Sequence, residues 1–244
     1  LSGAAMAQTK QIKVGVIFDM SGPLAAGGSN ASYLGTKYAI DMINERGGVE
    51  GHRIVPIYVD AQSKTEVAIN ETERLLNQEK VDVIMGVFSS AQCVPMAQRV
   101  DQAKKFMWAN VCVSSAVFKD KNLRNVFRAQ VHSDQMGEAS CRFLGENSKA
   151  KLGKELKDLK VAIIYEDGPY GAGVASGNDL VCKQLGMQVV LKEGYAATSP
   201  DLSPLVTKLR RAKPDVILHT GYNPDITLFL RQAKEQGLKW DALI

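Results

Sequence analysis

Short apolar runs rich in β-branched residues alternate with helix-patterned segments along almost all of this chain, and that alternation leaves few folds open. The run at 83–87, Val-Ile-Met-Gly-Val, has the composition of a strand buried on both faces of a parallel sheet. The chain then turns at Phe88-Ser89-Ser90, and a helical pattern follows with Val94, Ala97 and Val100 at helix spacing. Ser89 or Ser90 suits an N-cap, because a hydroxyl accepts from the amides of a first helical turn. The same amides, with the helix dipole, make a seat for an anion such as a carboxylate. Capping is the plainer of these two roles.

The rest of the chain repeats the pattern. Strands are predicted at 12–18, 53–59 and 106–109, and helices at 30–46 and 65–79, the first stopped by Gly47-Gly48. The pattern pauses after residue 116 and resumes with a helix over 134–146. Strands then fall at 160–165, 187–193 and 216–220, and helices at 171–185, 202–212 and 224–236. Leu159-Lys160-Val161-Ala162-Ile163-Ile164 echoes Ile12-Lys13-Val14-Gly15-Val16-Ile17. Lys213-Pro214-Asp215-Val216-Ile217-Leu218 echoes Lys80-Val81-Asp82-Val83-Ile84-Met85. The expectation is an α/β protein of two doubly wound parallel-sheet lobes, 8–118 and 134–244, with 119–133 as the crossing. Ligands of such sheets bind beyond the C-terminal strand ends. The loops at 19–30, 88–92 and 110–116 lie there. Trp240-Asp241-Ala242-Leu243-Ile244 reads as the start of another strand, so the second lobe is expected to be incomplete in a fragment of a longer chain.

Composition narrows the function classes. A hydrophobic share of 45%, a charged share of 23% and a net charge of +4 are those of an ordinary globular chain. The most basic stretch, 149–157, is interrupted by acid and reads as a solvated connector, so no nucleic-acid partner is expected. No segment reaches the ~18 consecutive apolar residues of a membrane span. Ala5-Met6-Ala7 has the small-x-small form of a signal cleavage site, so residues 1–7 read as a signal remnant and the mature chain as starting near Gln8 in the periplasm. Cys93, Cys112, Cys141 and Cys182 lack metal-like spacing and contain no C-x-x-C pair. Bridges and buried free thiols both remain open for them.

No catalytic set assembles. Gly86-Val87-Phe88-Ser89-Ser90 is not a G-x-S-x-G elbow, and His52, His132 and His219 lie apart in the sequence. Asp19 and Asp60 end adjacent strands, as in a magnesium-binding receiver, but capping of their loops is the simpler role. The glycines of Gly168-Pro169-Tyr170-Gly171-Ala172-Gly173 lack dinucleotide spacing. Tyr170 and Tyr222 each follow a strand, placed either to cover a ligand or to pack locally. Neither a cofactor nor a metal is expected, and no enzyme activity.

Met20-Ser21-Gly22-Pro23, Gly47-Gly48-Val49-Glu50-Gly51, Asp60-Ala61-Gln62, Tyr170-Gly171 and Gly221-Tyr222-Asn223-Pro224, in this order, resemble the type I periplasmic solute-binding proteins of ABC importers, closest to the leucine/isoleucine/valine-binding group. The resemblance runs from about Gln11 to Ile244. It implies a monomeric two-lobed clamp that closes by hinge rotation on a small carboxylate in the inter-lobe cleft and delivers it to membrane permease subunits. It assigns the carboxylate to Ser90, with Ser89 and Ala91 adjacent, and a second contact to the segment Cys112, Val113, Ser114. Ser114 is preferred there because valine has no hydroxyl. Tyr170 and Tyr222 complete the set. Gly27 stands where the family carries a first-loop tyrosine, which implies a roomier pocket. The family's partner for a ligand amino group falls beyond residue 244, which leaves branched-chain amino acids and aromatic acids both open, with a ligand sensor of similar fold as a further reading. The disulfide of the leucine-binding branch has no counterpart, since Gln62 and Ser89 occupy its positions.

Overall fold

The computed structural model describes residues 11–244, so the signal remnant expected at 1–7 and the mature start expected near Gln8 lie outside the described residues. The chain divides into two compact units. Unit 1 runs to Cys112 and resumes over Asn122–Ala129, and unit 2 takes Val113–Lys121 and Gln130–Ile244.

Unit 1 contains a parallel sheet of β1 (Gln11–Phe18), β2 (Arg53–Asp60), β3 (Val83–Gly86), β4 (Phe106–Ala109) and β5 (Val126–Arg128). The strand order is β2-β1-β3-β4-β5. Consecutive β1 side chains serve opposite layers. Val14, Val16 and Phe18 pack with Ile40 of α1 (Asn30–Glu45). On the other face Leu75 of α2 (Thr65–Asn77) lies so close to Gly15 that a side chain there would collide with it. β1 pairs with β3 from Val14↔Val83 to Ile17↔Gly86. Gly86 has φ +126, and a Cβ there would strike the Ile17 carbonyl, so this strand end requires glycine. α3 (Ser90–Gln102) follows.

Unit 2 repeats the plan with β6 (Lys160–Glu166), β7 (Gln188–Tyr195), β8 (Val216–Thr220) and β9 (Ala242–Leu243), all parallel, in the order β7-β6-β8-β9. Alternate β6 residues again divide. Val161 and Ile163 join Cys141 of α4 (Ser133–Leu152) and Ala175 and Val181 of α5 (Pro169–Gln184). Ala162 and Ile164 join Leu205 and Leu209 of α6 (Ser203–Ala212) and Phe229 of α7 (Asn223–Glu235). That division is what a strand buried on both faces requires.

Two stretches differ from the sequence expectation. The 119–133 crossing is shared out: Val113–Lys121 belongs to unit 2, whereas β5 pairs with β4 inside unit 1. From the sequence, Val126-Phe127-Arg128-Ala129 reads only as a short extended piece, and pairing with β4 makes Val126–Arg128 a strand. The basic stretch from 149 is not all connector. Lys149 and Lys151 lie in the last turn of α4, whose negative dipole end favours cations, and Gly153 at φ 67 closes it in a left-handed cap.

Candidate functional site

Both sheets reverse strand order at one place, between β1 and β3 in unit 1 and between β6 and β8 in unit 2. In open α/β sheets the crevice beyond the strand ends at such a reversal is where ligands bind. The residues singled out from the sequence cluster around these two points.

In unit 1, β3 leads through Val87 and Phe88 to Ser89, the N-cap of α3, held extended at φ −74 and ψ 129. The first helical bond runs from the Cys93 N–H to the Ser89 carbonyl at 3.0 Å. The expected hydroxyl cap is not made, since the Ser89 side chain has no hydrogen bond to the first turn. Ser89 and Ser90 are both buried, and Ala91 is half-buried. Cys112 is buried and bonded to Cys93, which ties the loop after β4 to the first turn of α3. Its sulfur is therefore structural.

Beneath this turn lies Asp19, fully buried at the end of β1. Its Oδ1 accepts from Gln92 Nε2 and from the Ser63 amide, each at 2.8 Å, and its own amide donates to Ser29 Oγ at 2.8 Å. One aspartate thus joins the loops after β1 and β2 to α3. Burial, partly opposed by these hydrogen bonds, holds its carboxyl above the usual range. At Asp60 burial is outweighed by hydrogen bonds from Ser21, Gln62 and Met20, which hold the carboxyl below its usual range. The hydrogen bonds of Asp19 and Asp60 go to loop amides and neutral side chains, which is the capping role. Among the described residues, no group of three or more His, Cys, Asp or Glu side chains is placed to hold a metal ion.

In unit 2, the segment after residue 112 is stitched to two helix starts. The Val113 carbonyl accepts from the Ser133 amide at 2.8 Å, and Ser115 Oγ donates to Asp134 Oδ1 at 3.0 Å. Ser114 is buried, donates its hydroxyl to the Pro169 carbonyl at 2.9 Å and accepts from the Ala116 amide at 3.2 Å. A hydroxyl has one hydrogen, so this geometry commits it to the loop that carries Tyr170. Ser114→Ala is expected to lower unit 2 stability by about 1–3 kcal/mol, since it strands a buried acceptor and a donor. A lower denaturant midpoint at unchanged m-value would show it.

Tyr170 and Tyr222 stand on either side of the β6/β8 reversal with ring centroids 5.6 Å apart. The backbone at each is hydrogen-bonded to a buried acid that has no role in the sequence expectation. Glu166 closes β6 and accepts from the amides of Gly168 at 2.8 Å and Gly171 at 2.6 Å, on either side of Tyr170. Asp225 accepts from the Tyr222 amide at 2.9 Å. Burial raises both carboxyls, and burial likewise raises the Tyr170 phenol. Asp225, at the third position of a helix opening Asn-Pro-Asp, was open to recognition as a reciprocal cap. Glu166 carries no local signal, because its partners are set by how the chain turns.

The glycines near Tyr170 serve packing. A Cβ at Gly173 would strike Ser133, and one at Gly177 the Asp134 carbonyl, so they let α4 and α5 approach closely. A second disulfide, Cys141–Cys182, joins the same two helices with Cα atoms 5.1 Å apart. All four cysteines are thus paired, and thiol titration of the native protein is expected to find no reactive thiol.

The family described as periplasmic binding protein matches residues 11–243. The Leu/Ile/Val-binding protein homolog 7 of Brucella suis is 37% identical over 244 residues, covering all of this chain and 60% of the relative. Homolog 8 of the same organism is 35% identical over 243 residues, again covering 60% of the relative. A leucine-binding protein LivK of Thermotoga maritima superposes with TM-score 0.81 at 24% identity, covering 94% of this chain and 61% of its own. A solute-binding protein of an R. palustris ABC transporter in complex with 4-hydroxybenzoate gives TM-score 0.77 at 22% identity, covering 93% and 60%. At these identities the two solved structures speak for the fold. The chain spans about 60% of the length of these curated relatives.

Proposed function

The chain belongs to the periplasmic binding protein family, and from that premise we propose that it forms part of the substrate-binding component of an ABC importer, exported to the periplasm and selective for a small carboxylate. The observation that carries this reading is the tyrosine pair. Two residues 52 positions apart in sequence (222 − 170) meet at 5.6 Å over the strand-order reversal of unit 2. They offer aromatic faces and phenol donors of the kind that orient a small ligand. On unit 1 the start of α3 at Ser89, Ser90 and Ala91 supplies the anion-favouring end of a helix at the corresponding reversal. Cys112, Val113 and Ser114 act in this reading through backbone and packing, with Ser114 supporting the Tyr170 loop. Two buried disulfides suit an oxidising compartment.

Branched-chain amino acids are the first candidates, because the curated relatives carry that name. A second reading, an aromatic carboxylic acid, is favoured by the tyrosine pair and by Gly27 in the first loop. A thermal-shift panel of L-leucine, L-isoleucine, L-valine, benzoate and 4-hydroxybenzoate separates them. At a hundredfold excess over Kd a binder adds roughly 2.7 kcal/mol, or about 5–10 °C for a chain of this size. Tyr222→Ala is expected to abolish the shift. A panel in which no carboxylate moves the melting temperature overturns the proposal.

A further inference from the structure

We propose that His219, Tyr195 and Asp225 form a hydrogen-bond chain of fixed direction that locks the backbone of Tyr222, making Tyr195 and Asp225 positioning residues of the unit 2 rim. The proposal rests on the reading of Tyr222 as a ligand contact, but its geometry stands apart from that reading. Tyr195 closes β7, His219 lies in β8 and Asp225 is the third residue of α7. Tyr195 Oη is 2.6 Å from Asp225 Oδ2 and 2.8 Å from His219 Nε2. Asp225 Oδ1 receives the Tyr222 amide at 2.9 Å.

The phenol has a single hydrogen, so with a neutral imidazole only two arrangements satisfy these contacts. In the first, Oη–H donates to an ionised Asp225 and accepts from Nε2–H, which leaves His219 Nδ1 a bare lone pair. In the second, Oη–H donates to Nε2, Asp225 carries a proton to donate to Oη, and His219 holds its proton on Nδ1. Nδ1 is buried without a partner. A buried N–H with no acceptor is the rarer and costlier defect. The Tyr222 amide also favours the carboxylate form of Asp225. Burial raises Asp225, but hydrogen bonds from the Tyr195 hydroxyl and from the Asp225 and Tyr222 amides oppose that. The first arrangement therefore holds, and the donors point His219 → Tyr195 → Asp225, with the Tyr222 amide donating to the far oxygen.

Both oxygens of Asp225 are then engaged by groups on different elements, so the carboxylate cannot turn. Tyr222, extended at φ −106 and ψ 164 as the N-cap of α7, is held with it. Gly221 supports the same picture independently. A Cβ there would strike both Asp225 Oδ2 and Tyr195 Oη, so the chain passes directly over this bond.

A long-range proton–nitrogen correlation on the full chain with 15N-labelled histidine, at pH 7, reads the His219 tautomer without any substitution. Nε2–H is expected, and Nδ1–H or an imidazolium overturns the direction. Asp225→Asn is close to isosteric. Its amide donates toward Oη, so the phenol must donate to His219 and the tautomer is expected to switch to Nδ1–H. An unswitched tautomer overturns the chain. Tyr195→Phe should speed hydrogen exchange of the Tyr222 amide about tenfold, the equivalent of about 1.4 kcal/mol, whereas His219→Gln, which keeps an N–H donor, should change it less than about twofold. Unchanged Tyr222 exchange in Tyr195→Phe overturns the positioning role. These readouts need no ligand, so the failure of the carboxylate panel and the failure of this proposal are separate results.

Discussion

Removal of the Cys141–Cys182 bridge, by Cys141→Ala with Cys182→Ala, is expected to lower the unfolding free energy of unit 2 by about 4 kcal/mol. The bridge closes a loop of 41 residues, and loop-closure entropy at that length gives this figure. Native geometry should let most of the effect appear. Both sulfurs are buried, and glycines at 137, 173 and 177 already bring the backbones of α4 and α5 together. Cys93–Cys112 closes only 19 residues, so its loss should cost about 3 kcal/mol. Denaturant unfolding of the two double variants against the parent measures both. A Cys141/Cys182 variant with the parent's midpoint would show that packing between α4 and α5 suffices without the bridge.

Acidification from pH 7 to 4 should cost stability through His219. Burial holds its imidazole down to about 4 from an ordinary 6.5. Between those values the unfolded chain takes up a proton that the folded chain refuses. Stability from this group is therefore complete above pH 6.5 and falls as the pH drops toward 4, by about 2–3 kcal/mol with allowance for partial exposure. Asp19, Glu166 and Asp225 have the opposite sign. Their folded-state values are raised by burial, so their contribution is greatest at low pH and is lost as pH rises through the raised values. The histidine effect must be read as a difference. His219→Gln keeps a donor for Tyr195 and removes the titration, so it should abolish the 6.5-to-4 loss that the parent shows. Parallel profiles for the two proteins would rule out His219 as the source.

Much of the fold was legible because strand and helix periodicity are local. The β-branched runs beginning at Ile12, Val83, Lys160 and Val216 could not bury both faces except in a parallel sheet with helices on each side, and the Ile12/Leu159 echo implied two such sheets. Tyr170 and Tyr222 were legible as strand-end residues for the same reason. What periodicity could not reach was pairing at a distance. Strand order decides that Tyr170 and Tyr222 meet, since β8 and not β7 lies beside β6 on that side. Cysteine spacing left bridges and free thiols both open, and only the approach of α3 to the loop after β4, and of α4 to α5, pairs Cys93 with Cys112 and Cys141 with Cys182. Ser114 was legible as a hydroxyl in the loop after β4, but not its donation to the Pro169 carbonyl, 55 residues further on. Residue patterns along the chain thus determined which segments are strands and helices and which residues stand at strand ends. Tertiary structure alone decided how each hydrogen-bonding group and each sulfur is spent, because a polar group's partner is whatever burial brings to it from elsewhere in the chain.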